Sequence, residues 1–447
     1  MTVYKHFALD NDQDGVVWLA IDVAGKSVNV MASEVMEELA QITAELTANP
    51  PAGLVMFSRK QRGFIFGADI NEFASFVDAA AVTAHIDYIL NSFQQIEDLP
   101  CVTVILIDGI CLGGGYEMAL AFDYIIGIDH SSCQVGFPEI NLGLLPGYGG
   151  SGRAYARMGL EVALKMVLHG KPVRAKDALS IGALDHLVVN REALADAART
   201  AIAGGIERTP AAKCADPEAL IAAERAGVAA RTRPENTPAP FAILDLYSFK
   251  NMNKDNIIER ATKQFSELLM TQSSIGFRRV FQLNDMVKKG GRGDHRVSHI
   301  HVIGAGVMGG DIAAVAAMNG FHVTLQDMNP AAIDRAVDRA RTLYERRLKT
   351  PEKVDATMDR LVADPDGEGL AVADLLIEAV AEVPAVKKAV FADAEKRMKP
   401  GSIMATNTSA IPLEDIAAAL DDPSRLIGMH FFNPVPVLPL VEVIYTA

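Results

Sequence analysis

Short apolar runs alternate with helical segments in two separate parts of the chain. In the first part these runs span residues 16–21, 54–58, 102–107 and 124–128, are rich in valine and isoleucine, and are bounded by Gly, Asp or Pro. Runs of this kind are typical of buried β-strands. Helical patterns lie between them, for example at residues 33–47 and 79–96. Strand alternating with helix predicts an α/β layer fold.

The alternation stops near residue 190 and begins again near residue 297. Helical patterns dominate in between, including residues 255–271 and 278–288, and a polar, proline-bearing stretch at 232–240 divides them. The glycine-rich, charged stretch at residues 288–294 is typical of a flexible linker. A chain of 447 residues is long enough for two or three domains. We expect a first domain at residues 1–190, a helical extension and linker at 191–294, and a last domain at 295–447.

Composition narrows the class of protein. The formal net charge of −14 argues against a nucleic-acid partner, because binding to a phosphate backbone requires a basic face. No basic stretch leads into an apolar run at the N-terminus, and polar residues interrupt the most apolar stretch, residues 101–128. We therefore expect a cytoplasmic protein, with peripheral contact to a membrane left open. The four cysteines show no metal-ligand spacing, so we expect reduced thiols and no metal site.

Three short segments of the first part carry a candidate catalytic site. They are residues 67–70 (Gly-Ala-Asp-Ile), residues 108–117 with three consecutive glycines at 113–115, and residues 136–140. The glycine run follows a predicted strand and precedes a helical pattern. Glycine lets a backbone approach a ligand closely, and the N–H groups at a helix start favour negative charge. A tight strand-to-helix turn without a ligand is the alternative.

Two carboxylates accompany these segments. Glu117 lies in an otherwise apolar helical run, where a carboxylate is costly to bury unless it is paired or functional. Glu139 follows Pro138 at the start of another apolar segment, and its alternative role is to accept hydrogen bonds from a first helical turn. Two carboxylates beside a loop of N–H donors suit acid–base chemistry next to a carbonyl group.

In order, spacing and flanking residues, the three segments resemble the crotonase (enoyl-CoA hydratase/isomerase) superfamily over residues 15–188. The resemblance implies a ββα spiral fold and a coenzyme A thioester as the substrate. It implies that the N–H groups of Ala68 and Gly114 stabilise the thioester oxygen while Glu117 and Glu139 hold one water. Water would then add to a trans-2-enoyl-CoA and give an L-3-hydroxyacyl-CoA.

The sequence leaves alternatives for the roles of the two glutamates, for the reaction and for the residues that bind the phosphates. The superfamily usually gives the base role to Glu117 and the acid role to Glu139, although the pair could titrate as a unit. The same site could also move a double bond between C3 and C2, which is a Δ3–Δ2 isomerase activity. Cations near the first segment are candidates to bind the phosphates of coenzyme A, or they are solvated surface charges: Arg59, Lys60 and Arg62.

The second part of the chain opens with a glycine-rich turn. Residues 304–309 read Gly-Ala-Gly-Val-Met-Gly, follow a predicted strand at 298–303 and open a predicted helix at 309–319. Asp327 stands at the end of the next predicted strand, residues 322–326, about 20 residues further on. This context predicts a Rossmann-type fold that binds NAD rather than NADP, because an acid there binds ribose hydroxyls and disfavours a 2′-phosphate. A glycine turn without nucleotide, with Asp327 as a surface acid, is the alternative.

His430 and Glu442 form a candidate base with its orienting partner, although a satisfied core histidine is the alternative for His430. Residues 297–447 resemble the L-3-hydroxyacyl-CoA dehydrogenase family. The resemblance implies that His430 takes the proton of the substrate 3-hydroxyl while a hydride passes to NAD. Residues that it places against substrate or cofactor are Ser409, Asn407, Glu382, Lys387, Gly304, Gly306, Met308 and Gly309.

The order of hydratase, helical linker and dehydrogenase resembles the bifunctional α-subunits of fatty-acid β-oxidation complexes. That resemblance implies a multifunctional enzyme of lipid degradation and a thiolase β-subunit as partner in an α₂β₂ assembly. In the dehydrogenase family a helical domain follows the Rossmann domain, whereas this sequence stops at Ala447. We therefore expect a C-terminally truncated chain with NAD binding but little dehydrogenase activity, unless another chain supplies the missing part. The rival interpretations are an isomerase whose NAD domain serves only for docking, and a non-enzymatic scaffold.

Overall fold

The computed structural model describes residues 3–61, 63–290 and 297–445. The chain divides into two compact units, Met1–Gly291 and Arg292–Ala447. Two clusters of buried apolar side chains belong to the first unit and two others to the second.

Two sheets organise the first unit. Its strands are β1 Phe7–Asn11, β2 Val16–Ile21, β3 Gly53–Ser58, β4 Gly63–Ile65, β5 Val102–Ile107, β6 Ile110–Leu112, β7 Tyr124–Ile128, β8 Gln134–Gly136, β9 Val173–Arg174 and β10 His186–Val188. The larger sheet has the order β1-β2-β3-β5-β7-β10 and is parallel except for the β1–β2 pair. The smaller sheet has the order β4-β6-β8-β9.

Helices cover both faces of the larger sheet. They are α1 Ser33–Ala48, α2 Ala79–Glu97, α3 Gly114–Ala119, α4 Gly150–Met158, α5 Leu160–His169, α6 Ala175–Ser180 and α7 Leu194–Ile202. Along β5, Val104 and Leu106 belong to the cluster that includes α7, whereas Ile105 and Ile107 belong to the main cluster. Because successive side chains of a strand point to opposite faces, a strand covered on both faces is apolar throughout. This explains why the predicted strands were continuous apolar runs.

A helical extension completes the first unit. It consists of α8 Pro217–Ala229, α9 Pro238–Leu246, α10 Lys254–Leu269 and α11 Gln272–Gly290. Two expectations were wrong in detail. Pro238 is the first residue of α9 rather than part of a divider, because proline suits the first turn of a helix. Helix α11 continues through Gly290, where a flexible linker was expected, and residues 291–294 of that linker lie outside the described residues.

The second unit is a doubly wound α/β fold. Its strands are β11 His299–Ile303, β12 His322–Gln326, β13 Leu361–Ala363, β14 Leu375–Glu378, β15 Ile403–Thr406, β16 Leu426–Phe431 and β17 Val441–Ile444. Its helices are α12 Val307–Met318, α13 Pro330–Leu348, α14 Pro351–Met358, α15 Pro384–Arg397 and α16 Leu413–Ala417. The strand order is β13-β12-β11-β14-β15-β16-β17, parallel except for β17. The order reverses beside β11, which is where such folds bind dinucleotides.

Strand β16 carries His430. The apolar pattern of the sequence predicts a strand at residues 425–428, whereas the strand runs from Leu426 to Phe431 and pairs with β17 in antiparallel register, so His430 lies within it. Among the described residues, no helix is both long and apolar enough to cross a membrane. The four cysteines are free, with Cys111 and Cys133 buried.

Candidate active sites

The glycine loop of the first unit brings the three predicted segments together. Gly113 has φ +54° and ψ −133°, and α3 begins at the next residue. A Cβ at Gly113 would lie 2.8 Å from Glu139 Oε1 and 3.7 Å from the Cα of Gly67. Only glycine fits this position, because its conformation and its surroundings both exclude a side chain. The loop before Ala68, the loop before Gly114 and the Glu139 carboxylate therefore meet at one point.

Two N–H groups at this point are free to bind a ligand. Met31 N donates to Gly67 O at 2.9 Å and Asp69 N donates to Met31 O at 3.1 Å, which holds Ala68 between two bonded residues. Gly114 is the first residue of α3, where N–H groups have no partner within the helix. Within residues 3–61, 63–290 and 297–445, neither the Ala68 N–H nor the Gly114 N–H donates a hydrogen bond. The arrangement suits a developing oxyanion.

Glu117 is buried and is hydrogen-bonded on one side. It lies in the first turn of α3 with 2% of its surface exposed, and its Oε2 accepts a hydrogen bond from Gly150 N at 2.7 Å. Burial raises the pKa of Glu117 to about 7, while backbone donors of the loop before α4 and the charge of Arg153 act in the opposite direction. A Cβ at Gly150 would lie 2.5 Å from Glu117 Cγ, so this loop encloses the carboxylate closely.

Glu139 is buried without such support. It begins a 3₁₀ turn, Glu139–Leu142, and among the described residues its Oε2 has no hydrogen-bond partner. Burial raises the pKa of Glu139 well above its ordinary value, and the nearby charge of Glu117 raises it further. A buried carboxylate with an unpartnered oxygen is stabilised by protonation. The two glutamates therefore differ in environment, with Glu117 favoured as the ionised partner and Glu139 as the protonated one.

The sequence did not indicate three further parts of this site. The ring of Tyr148 lies 2.9 Å from where a Cβ of Gly114 would stand, Gly150 holds Glu117, and Arg153 Nη1 donates to the carbonyl of Tyr148 at 3.1 Å. The glycine-rich stretch of residues 147–152 was the available signal for all three. Of the candidate phosphate-binding cations, Lys60 instead bonds two carbonyls of its own chain and pairs with Asp22, Arg59 is exposed, and Arg62 lies outside the described residues.

The glycine turn of the second unit is shaped so that a diphosphate group could lie against its backbone. Gly304 has φ +104°, and a Cβ at Gly309 would lie 1.8 Å from Gly304 O, so both glycines are required by close packing. A Cβ at Gly306 would meet nothing within 4 Å, which leaves the space over the turn open. Asp327 accepts hydrogen bonds from Ala305 N at 2.7 Å and Asn329 N at 2.8 Å, so its carboxylate also orders the turn. These residues fit a dinucleotide at the start of α12.

A second candidate site lies at the ends of β14–β16. Its cavity of about 380 Å³ is lined in part by predicted residues, namely Met308, Glu382, Lys387, Asn407, Ser409 and His430. His430 Nδ1 lies 2.8 Å from Glu442 Oε2, because the two residues face each other across β16 and β17. The side chain of Asn407 accepts a hydrogen bond from Phe431 N at 2.8 Å. Asp327 does not line this cavity.

Lys387 is buried in this site and forms ion pairs with two glutamates. Its ammonium group contacts Glu378 at 2.7 Å and Glu382 at 3.1 Å, and its side chain is 1% exposed. Glu378, to which the sequence assigned no role, is fully buried and also accepts hydrogen bonds from Val380 N and the Thr406 hydroxyl. The Glu382 carboxylate accepts from the Thr408 hydroxyl and from Ser409 N. The ion pairs therefore fix the segment that carries Ser409.

Comparison with known families gives one match in each unit. Residues 13–233 match the family described as enoyl-CoA hydratase/isomerase. Residues 299–447 match the family described as 3-hydroxyacyl-CoA dehydrogenase, NAD binding domain.

Curated relatives carry both regions on one chain. The chain is 34% identical over 462 residues to the fatty acid oxidation complex subunit alpha of Aliivibrio fischeri, covering 98% of this chain and 66% of that one. It is 34% identical over 458 residues to the subunit of the same name from Acinetobacter baylyi, covering 96% and 63%. The chain thus spans slightly less than two thirds of the length of these relatives.

Solved structures resemble each unit separately. A 3-hydroxybutyryl-CoA dehydrogenase from Escherichia coli is similar over 33% of this chain and 32% of its own, at 42% identity and a TM-score of 0.33. An enoyl-CoA hydratase from Mycobacterium avium subsp. paratuberculosis is similar over 63% of this chain and 97% of its own, at 20% identity and a TM-score of 0.45.

Proposed function

We propose that this chain hydrates trans-2-enoyl-CoA to L-3-hydroxyacyl-CoA. The chain is a homologue of the alpha subunits of fatty acid oxidation complexes. Its enoyl-CoA hydratase/isomerase domain is followed by a 3-hydroxyacyl-CoA dehydrogenase NAD-binding domain. One observation carries the proposal. The Glu139 carboxylate, with an oxygen that lacks a partner among the described residues, lies against Gly113, and Gly113 lies close to Gly67; these two glycines precede the free N–H groups of Gly114 and Ala68.

The proposed chemistry divides the work between the glutamates. Glu117 removes a proton from water, whose oxygen adds to C3 of the substrate. Charge develops on the thioester oxygen, where the N–H groups of Ala68 and Gly114 stabilise it, and Glu139 delivers a proton to C2. This division is supported by the Gly150 donor on Glu117 and by the unpartnered oxygen of Glu139. Loss of one such N–H donor typically costs on the order of 3 kcal/mol of transition-state stabilisation.

For the second unit we propose dinucleotide binding and proton removal by His430. The glycine turn at residues 304–309 and Asp327 would hold NAD, which supplies the acceptor for a hydride when it is bound. His430 would accept the proton of the 3-hydroxyl group, and Glu442 would orient the ring through Nδ1. Asn407, Ser409, Glu382 and Lys387 would position substrate and cofactor around it.

The remaining proposals concern organisation and partners. We propose domain boundaries at residues 1–190, 191–294 and 295–447, a cytoplasmic location, and a thiolase β-subunit as partner in an α₂β₂ assembly. The relatives' name, subunit alpha of a complex, supports the partner. Light scattering of the co-expressed subunits tests it, and a chain that stays free of the thiolase would contradict it.

Hydration of crotonyl-CoA tests the main proposal. We expect the ultraviolet absorbance of the enoyl thioester to fall on addition of the chain, with Glu117→Gln as the inactive comparison. A chain that converts a 3-enoyl-CoA to the 2-enoyl isomer, but leaves crotonyl-CoA unchanged, would support the isomerase instead. Calorimetry with NADH tests the second unit, and binding that survives Asp327→Ala unchanged would count against the assigned turn.

A further inference from the structure

We propose that Arg153 is a positioning residue for Glu117. Its guanidinium group is held by Glu97, which Lys254 also contacts, and it fixes the loop of residues 146–150 in the position from which Gly150 N donates to the Glu117 carboxylate. The inference rests on the proposed hydratase function for its catalytic meaning, whereas the positioning itself concerns only residues of this chain.

The loop contacts the Glu117 carboxylate directly. Gly150 N donates to Glu117 Oε2, and the space beside that carboxylate admits no side chain at residue 150. The loop reaches this position through Gly149, which has φ +90°, a conformation that other residues rarely adopt. A backbone of this kind needs external contacts to hold one conformation.

Arg153 supplies those contacts. Its Nη1 donates to Tyr148 O at 3.1 Å, and its backbone N donates to Gly149 O at 3.1 Å. A Cβ at Gly149 would lie 2.2 Å from Arg153 Nη1, so the guanidinium group lies directly against the loop. The side chain is 2% exposed, and solvent therefore contributes little to holding it.

The guanidinium group is held by α2, and α10 in turn holds the α2 residue. Glu97 of α2 accepts a hydrogen bond from Arg153 Nη2 at 3.2 Å. Its other carboxylate oxygen forms an ion pair with Arg153 Nε, also at 3.2 Å, although Nε makes no hydrogen bond among the described residues. A planar guanidinium presents two nitrogens side by side to one carboxylate, which an ammonium group does not. Lys254, the first residue of α10, lies 3.1 Å from the same Glu97 carboxylate. The chain of contacts therefore runs from the helical extension, through Glu97 and Arg153, to the loop and Glu117.

The charge of Arg153 acts in the same direction as its contacts. The ionisable side chains that interact with Glu117 are Glu139 from the 3₁₀ turn, Tyr148 from the loop, Tyr247 after α9 and Arg153 from α4. Of these side chains, Arg153 is the cation, and its charge favours the carboxylate form of Glu117. A looser or more distant cation at residue 153 should therefore make Glu117 harder to ionise.

The chain offers a matched control one turn further along α4. Arg157 is also buried, with 5% of its side chain exposed, and it also pairs with a carboxylate, Asp185. Its Nε donates to Gly182 O at 3.3 Å, away from the loop of residues 146–150. Arg157→Lys and Arg153→Lys are thus the same chemical change at equal burial, and only the second touches the support of Glu117.

The test compares the unaltered 447-residue chain with Arg153→Lys, Arg157→Lys and Lys254→Met. Infrared pH-difference spectra follow ionisation of Glu117, whose band is identified by its loss in Glu117→Gln. We expect the pKa of Glu117 to rise in Arg153→Lys and, by less, in Lys254→Met, and to stay in place in Arg157→Lys. For crotonyl-CoA hydration we expect kcat to fall roughly 10- to 100-fold in Arg153→Lys, with KM within about twofold and the acidic limb of the pH profile moved to higher pH.

The outcomes separate the inference from the proposed function. Equal loss of activity in Arg153→Lys and Arg157→Lys, with the Glu117 band titrating as in the unaltered chain, would overturn the inference. If the unaltered chain fails to hydrate crotonyl-CoA, the proposed function fails, and the infrared titration still decides whether Arg153 positions Glu117. If Arg153→Lys does not fold, Lys254→Met decides the question, because its side chain is 31% exposed and its loss disturbs no core.

Discussion

Glu139 is a buried carboxylate with an oxygen that has no hydrogen-bond partner among the described residues. We expect Glu139→Gln to lower kcat for crotonyl-CoA hydration by about 10²- to 10⁴-fold, the usual contribution of a positioned acid or base. The folded chain should tolerate this change well, because a protonated glutamate and a glutamine are both neutral and nearly equal in size, and burial favours the protonated form here. Stopped-flow absorbance and thermal melting measure the two effects. Substantial hydration by the variant would contradict the assignment.

The burial of Glu117 predicts how the free energy of unfolding changes with pH. Burial raises its pKa from 4.5 to about 7, so between these values the folded state binds a proton that the unfolded state has lost. The free energy of unfolding then falls as pH rises from 4.5 to 7. Glu117→Gln removes this effect, and we expect it to be more stable than the unaltered chain at pH 8, by about 3 kcal/mol at most, with the difference vanishing below pH 4.5.

Urea unfolding at pH 5 and pH 8 measures this difference. The fluorescence of Trp18 reports on the first unit, because it is the one tryptophan of the chain and lies in β2. Glu161→Gln, at an exposed position on α5, serves as the control and should show no such dependence. Equal stability differences at the two pH values would show that burial does not perturb Glu117 as described.

At the scale of elements, strands that are buried on both faces were predictable from sequence. The runs at residues 16–21 and 124–128 coincide with β2 and β7, because the packing of both faces makes the whole strand apolar. Strands β4, β6, β8 and β9 have two or three residues each and show no period that a sequence could reveal. Their pairing is nevertheless what brings Gly113 N to Gly136 O and so places the glycine loop near Glu139.

The residues of the candidate site in the first unit likewise fall into those that the sequence revealed and those that it did not. Glu117 and Glu139 were visible because a carboxylate in an apolar run is conspicuous. Gly150 and Arg153 were not, since Gly150 meets Glu117 across 33 positions of sequence and Arg153 meets Glu97 across 56. Such contacts depend on how α2, α3 and α4 pack, which no local pattern encodes.

The strand–turn–helix element of the second unit gives a prediction that separates folding from binding. Gly306→Ala places a methyl group in open space, so we expect a folded chain with at least tenfold weaker NADH binding, because the backbone can no longer approach the diphosphate closely. Gly309→Ala places the methyl group 1.8 Å from Gly304 O, and we expect it to destabilise the unit itself. Calorimetry and circular dichroism compare the two. NADH affinity unchanged in Gly306→Ala would show that the nucleotide binds elsewhere.

At the scale of the whole molecule, two units with separate cores carry two proposed consecutive steps. A hydratase whose product is the substrate of a dehydrogenase gains from a shared chain, because linkage raises the local concentration of the intermediate. The chain contains both candidate sites, one in each compact unit. The arrangement also means that a ligand for one unit need not stabilise the other directly.

Ligand binding should therefore change the melting temperature of one unit at a time when the two units are studied on the same chain. NAD⁺ at about 100 times its Kd should stabilise the unit that binds it by about 2.7 kcal/mol, which corresponds to a rise in Tm of roughly 5–10 °C for a domain of this size. Scanning calorimetry should show that rise in one transition, while the transition followed by Trp18, in the first unit, stays within about 1 °C. An equal shift of both would mean that the units unfold as one, and no shift at all would contradict NAD binding. Because the Trp18 transition belongs to the unit that carries Glu117, crotonyl-CoA or its hydration product should shift that transition instead, so the two ligands together assign each site to its unit.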